Sequence, residues 1–297
     1  MTWKFERVAG PYQGPTGGLA WDGTAMLFSV INEERILRFD PKAGRVADFR
    51  RYSGRTNGIA FGPDGILYGC QEGGRRVIQY LPDGSATTTT TRLDGCIHNH
   101  PSDVTVDSTG RVWFTDPYHP VAAFGPQIFP PLEHASVLRL ERDERRAWKI
   151  SRITYDTAAP RAVRLSADEK TLYVAEGSEG DGPRELRAYP VREDGTVGPC
   201  TVLHVFGRDH RGVHRGIEGM CLDSDGNIVA CAGWTRSGPG PLIYVFSPSG
   251  AVQETHPLPG DMPMRCAFGD VDLASLYVTT AGGNLYRARA TGRRGRG

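Results

Sequence analysis

Apolar and polar residues alternate in short runs along the whole chain, and Gly, Pro, Asp and Asn bound the runs. Such period-two alternation puts every second side chain on one face of an extended strand. It predicts antiparallel strands joined by tight turns. The 3.6-residue period of an amphipathic helix is nearly absent; the longest polar stretch, ERDERRAW, reads as a hairpin edge, and the Thr87–Thr91 run as an exposed strand edge.

A larger unit repeats. A small residue opens a short apolar strand, a D-G type turn follows, and a β-branched and aromatic strand comes next. The copies are GGLAWDGTAMLFSV, NGIAFGPDGILYGC, SDVTVDSTGRVWFTD, RAVRLSADEKTLYVAEG, EGMCLDSDGNIVACAG and RCAFGDVDLASLYVTTAG. Aligned on Gly18, Gly58, Asp103, Ala162, Gly219 and Cys266, they are spaced by 40, 45, 59, 57 and 47 residues. Each continues into a third strand (RILRFDP, RVIQYLPDG, SVLRLERD, ELRAYPV, LIYVFSPSG, NLYRARA), and several into a fourth.

Four short strands repeated six times predict an all-β, six-bladed β-propeller, because one such sheet cannot bury both of its faces alone. The alternative is two stacked sandwich domains, but no linker or change of composition divides the repeats. The sixth copy stops after three strands, whereas WKFERVA near the start has no blade of its own. The N-terminal strand is therefore expected to close the last blade. The chain reads as one domain over about residues 3–291, with a basic, disordered tail at 292–297.

Composition narrows the function. The chain carries 35 basic and 34 acidic residues in 297, a net charge of +1, so no basic field for nucleic acid is expected. No apolar run is long enough to cross a bilayer as a helix, and MTWKFERVAG has no apolar stretch of a secretory leader. The six cysteines form no CxxC pair, and Cys70 and Cys231 end apolar runs. Free thiols in a reducing cytoplasm are expected. There is no G-x-S-x-G elbow, P-loop or dinucleotide-binding glycine pattern; Gly73-Gly74 is a blade turn.

The order and spacing of RILRFDP, NGIAFGPDG, GGRRV, FTDP, DEKTLYVAEG, GMCLDSDGNI and SLYVTTAGG resemble the SMP-30/gluconolactonase/luciferin-regenerating enzyme family over roughly residues 12–291. The resemblance implies a six-bladed propeller with one divalent metal (Ca, Zn, Mn or Fe) at the mouth of its channel. It also implies hydrolysis of lactones or related esters. The family's metal is held by a Glu of the first blade, an Asn of the fourth and an Asp of the fifth, with an Asn of the third nearby.

Position by position, this chain departs from that pattern. Glu-Gly-Pro of the first blade reads Gly17-Gly18-Leu19, and the Asn of the third blade is Ser102, followed by a retained Asp103. The fourth-blade Asn is Arg161, the fifth-blade Asp is Glu218, and an Asn of the sixth blade is Arg265; Asn57 of the second is kept. Glu218 is thus the only acidic ligand position retained. Like unit charges about 4 Å apart repel by roughly 4 kcal/mol at an effective dielectric near 20, and Arg cannot lose its proton to become a ligand. No cofactor is therefore expected, with the divalent metal as the family's alternative.

The expected site is a remodelled one. Arg161 and Arg265 clamp an anionic group of a small-molecule substrate, Glu218 activates water, and Asp103 belongs to the catalytic set. Gly17 leaves room where the Glu is lost. The bland alternative is a salt-bridge plug that replaces the metal. Asn57, Ser102, His100, His119, Phe124 and Phe129 are the expected substrate contacts. The Pro-rich insertion at 120–135 is read as a lid or a packed rim loop. His98 and His100 form the densest ligand-type cluster, either a transition-metal site or ordinary loop histidines. Asp116 and Tyr118 follow on the rim. The reading is a lactone or cyclic-ester hydrolase. The alternatives are another propeller enzyme (isomerase or cyclase) and a non-catalytic small-molecule binder. The oligomeric state stays open.

Overall fold

The computed structural model describes residues 2–118, 125–126, 128–177, 180, 182 and 184–296. These residues hold six four-stranded antiparallel sheets and no helix. Blade one is Thr16–Trp21, Met26–Val30, Arg35–Asp40 and Arg45–Arg51. Blade two is Thr56–Phe61, Leu67–Gln71, Arg76–Tyr80 and Ala86–Thr88. Blade three is Val104–Val106, Val112–Asp116, Ser136–Arg142 and Trp148–Arg152. Blade four is Pro160–Leu165, Thr171–Gly177, Arg184–Pro190 and Thr201–Val205. Blade five is Ile217–Leu222, Ile228–Trp234, Ser237–Phe246 and Val252–Pro257. Blade six is Pro263–Gly269, Ser275–Thr280 and Leu285–Ala288, completed by Phe5–Ala9.

There is one apolar cluster between each pair of neighbouring blades. The second strands show why. In Met26–Val30, Met26, Phe28 and Val30 face blade six, whereas Leu27 faces blade two. Both faces of the strand are buried, so it reads as a continuous apolar run. Trp113, Val137 and Ile153 of blade three meet Val163, Leu172 and Val174 of blade four in the same way.

Around the axis the first strands of successive blades come very close. A Cβ on Gly18 would lie 2.4 Å from the Ile59 nitrogen, one on Gly58 2.6 Å from the Ser102 oxygen, and one on Gly219 2.2 Å from the Met264 oxygen. Only glycine fits there. Where blade three has Asp103 instead, its carboxylate reaches across to accept the Val163 N–H at 3.1 Å.

Phe5–Ala9 closes the ring by pairing with the last strand, Phe5 opposite Ala288 and Glu6 opposite Arg287. Just before it, Trp3 is buried among the side chains of blades five and six. Its indole stacks on His256 at 3.8 Å and donates to the Thr291 carbonyl at 2.8 Å. The basic tail lies against blade five. Arg293 pairs with Asp223 at 2.6 Å and with Glu254, and Gly295 bridges Asp223. Two buried or half-buried carboxylates give the tail's positive charge a place to bind.

Trp3→Ala removes a closing contact rather than a surface one. It should lower the unfolding free energy by about 3–5 kcal/mol in urea denaturation. A loss below about 1 kcal/mol would mean that the ring is closed elsewhere.

Candidate functional site

The first strand of every blade runs in the same sense along the axis. Its N-terminal ends therefore gather at one mouth, together with the C-terminal ends of the second strands. In five blades the pairing of first and second strand is interrupted at this end, between Thr16 and Leu19, Thr56 and Ile59, Pro160 and Ala162, Ile217 and Gly219, and Pro263 and Cys266. Such irregularities re-aim side chains. They fall on Gly17, Asn57, Arg161, Glu218 and Arg265, the positions singled out above.

A cavity of about 130 Å³ opens there. Asn57, Ser102, Arg161, Glu218 and His100 line it, as expected. Two further polar residues, Arg55 and Glu72, also line it. The sequence reading missed both. Glu72 follows the second strand of blade two, as Ile31 and Pro117 follow those of blades one and three, and all three face the cavity. The strand polarity of the repeat was the available signal.

The two carboxylates are held differently. Glu72 accepts from the Asn57 amide at 2.8 Å and lies 3.4 Å from the Arg55 guanidinium. Glu218 accepts from Arg215 at 3.1 Å, and its other oxygen lies 3.8 Å from Arg265. The Glu218 side chain keeps 15% exposure, so it can reach a bound molecule. Arg161 packs its stem on Gly177 and sits half-buried at the wall.

Arg265 does not line the cavity. It is 1% exposed and lies beneath it, and its guanidinium donates to the Glu218 carbonyl and, at 3.1 Å, to the Ser102 hydroxyl. Its Nε lies 3.5 Å from Asp103. Asp103 is equally buried, and Arg164 holds its second oxygen at 2.9 Å. These two residues form a buried, charged plug across the channel. Gly17 does not leave room: a Cβ there would meet the Ser29 hydroxyl at 2.7 Å and the Asn57 Oδ1 at 2.8 Å.

His98 and His100 are buried rather than exposed on a loop, and they part company. The His98 ring lies edge-on to Phe114, with Nε2 3.3 Å from the Thr90 carbonyl. Burial pushes its pKa down to about 4. His100 faces the cavity. Behind it, the Asp116 carboxylate accepts the Asn99 N–H at 2.9 Å, and complete burial pushes its pKa up to about 7. Phe129 packs against the Arg92 guanidinium at 4.3 Å and is not among the cavity's lining, while Ile128 is 77% exposed. His119 and Phe124 lie outside the described residues.

Residues 15–282 match the SMP-30/Gluconolactonase/LRE-like region. The chain belongs to this family. It is similar to the gluconolactonase of Zymomonas mobilis subsp. mobilis, 27% identical over 92% of this chain and 77% of that protein. It is also similar to a 6-deoxy-6-sulfogluconolactonase of Pseudomonas putida, 28% identical over 63% of this chain and 56% of that one. A gluconolactonase of Xanthomonas campestris has the same fold, with a TM-score of 0.77, 25% identity, and 97% and 89% of the two chains covered.

The family's divalent metal can be tested against the donors of this mouth. Position 17 offers no side chain and position 161 offers a guanidinium. The Glu218 carboxylate already faces two guanidiniums. Among the described residues no three His, Cys, Asp or Glu side chains are grouped to hold a metal ion. A hard dication needs several oxygen donors with net negative charge, and this set does not fit one.

Two outcomes follow. Arg265→Met leaves buried carboxylate short of a partner and should cost about 3–5 kcal/mol in denaturant unfolding; a neutral effect would remove the plug from the account. Asp116 is protonated in the fold and ionised in the unfolded chain between its ordinary range and pH 7, so its contribution to stability falls as pH rises through that window. Asp116→Asn should therefore gain stability relative to the parent from pH 4 to 7, and a constant difference in melting temperature would contradict this.

Proposed function

We propose that this protein hydrolyses a lactone of a small anionic molecule at the mouth of the channel, without the family's metal. The observation that carries the reading is the pairing, in one small cavity, of two guanidiniums, Arg55 and Arg161, with two carboxylates, Glu72 and Glu218. The lactonase relatives support the reaction class.

A lactone opens when water adds to its carbonyl and the ring oxygen leaves as a hydroxyl, giving a hydroxy acid. Glu218, oriented by Arg215, takes a proton from that water. Arg161 faces the same space and stabilises the oxyanion or holds the substrate's anionic substituent, since a fixed guanidinium fork matches either charge. Arg55, braced by Glu72, presents a second cation on the opposite wall. His100 stands within the cavity as a proton donor to the leaving oxygen. Arg265 acts as a positioning residue, through the Ser102 hydroxyl and the Glu218 backbone.

The test is a panel of neutral, carboxylated, sulfonated and phosphorylated sugar lactones, assayed after exhaustive chelation. Turnover of an anionic lactone should survive chelation. Arg161→Ala should raise KM for it about 10- to 100-fold, one charge-assisted hydrogen bond's worth, and Glu218→Gln should lower kcat about 100-fold or more. Activity that disappears with chelation and returns with a divalent ion would overturn the metal-free part. Binding without turnover of any lactone would make the protein a small-molecule binder.

A further inference from the structure

The far end of the channel holds a second, larger cavity of about 540 Å³. Its walls are mostly apolar, from Leu19, Ile59, Phe61 and Phe268, but two cysteines and two arginines also line it: Cys221, Cys266, Arg164 and Arg296. Cys221 is on the first strand of blade five and Cys266 on that of blade six, and their Sγ atoms are 3.6 Å apart. Cys221 is half-buried. Neither thiol has a part in the chemistry at the opposite mouth.

We propose that Cys221 and Cys266 are an oxidisable dithiol that closes to an interblade disulfide when a peroxide enters this cavity. The sulfurs are already in contact and must approach to about 2.05 Å, with both cysteines on neighbouring inner strands. The environment favours the first step. Burial opposes ionisation of Cys266, but hydrogen bonds from Cys221 and Cys231 and the Arg164 charge outweigh it and draw this thiol well below its ordinary range. Cys221 is pushed the other way by its hydrogen bond to Cys266 and by burial. One thiol drawn toward its thiolate beside another held protonated is the arrangement of an attacking and a resolving cysteine.

The step balances. The Cys266 thiolate attacks one peroxide oxygen, the O–O bond breaks, and a sulfenic acid and hydroxide form. The Cys221 sulfur then displaces water from the sulfenic acid, its proton leaving with that water. Two thiols and one hydrogen peroxide give one disulfide and two waters.

The disulfide would tie the strand of Glu218 to the strand of Arg265, three residues along from the first and one from the second. The reduced protein keeps those strands together by packing and by the Arg265 guanidinium on the Glu218 carbonyl.

The experiment exposes the full-length protein to hydrogen peroxide, blocks the remaining thiols with an alkylating agent, and reads intact mass and cross-linked peptides. Two of the six thiols should be lost, with the mass of two hydrogens. One cross-linked peptide pair should contain residues 221 and 266, and dithiothreitol should reverse the change. The oxidised form should melt at a higher temperature than the reduced form. Cys221→Ser and Cys266→Ala should each abolish the cross-link, whereas Cys96→Ser and Cys200→Ser should keep it. Unchanged thiols, oxygen added without a cross-link, a bridge between any other pair, or a bridge that survives Cys221→Ser would each overturn the proposal. Loss or retention of lactonase activity leaves it untouched.

Discussion

The arrangement of the mouth depends on one buried ionic network, Asp103 between Arg265 and Arg164. Arg265 belongs to blade six, Asp103 to blade three and Arg164 to blade four, so three blades meet in it across the channel. Two guanidiniums against one buried carboxylate leave an excess of positive charge at the axis. The Glu218 carboxylate, Ser102 and the carbonyls of Glu218, Val104 and Val163 absorb it. A buried charge without such partners would cost several kcal/mol. The network thus constrains where Ser102 and Glu218 stand, and with them the floor of the cavity.

A central cation and a central guanidinium solve the same problem: inner strands of several blades converge with carbonyls and carboxylates pointing at one axis. In relatives the family pattern supplies ligands for a dication. Here Arg265 brings its own positive charge covalently attached, with five donors in a fixed plane. At Gly17, Ser29 and Asn57 stand where a side chain of blade one would begin. The cavity that remains above the plug is small and charged, whereas the opposite end is roomier and apolar, with a thiol pair in its wall.

Much of this was legible in the amino-acid sequence. Six repeats, the missing fourth strand of the last, and the stray strand at the start determine a closed propeller, because each apolar face must find a neighbouring blade. The glycines at 18, 58 and 219 mark the close approach of inner strands, and the residues just before them mark the mouth. Period and steric size are local properties, and a sequence displays them directly.

Only the tertiary structure decided what each of those polar residues does. Arg161 and Arg265 look alike in sequence, both standing where the family has Asn. One lies at the cavity wall and the other beneath its floor, because strand irregularities aim side chains over distances that no spacing encodes. Glu72 escaped notice because it reaches the mouth from a second strand, and His98 and His100 point apart although only one residue separates them. Tail residues that look like solvated cations find carboxylates of blade five. Partners of charged groups come from blades tens to hundreds of residues away. Strand pattern is written locally, while the pairing of charges is settled only when the ring closes.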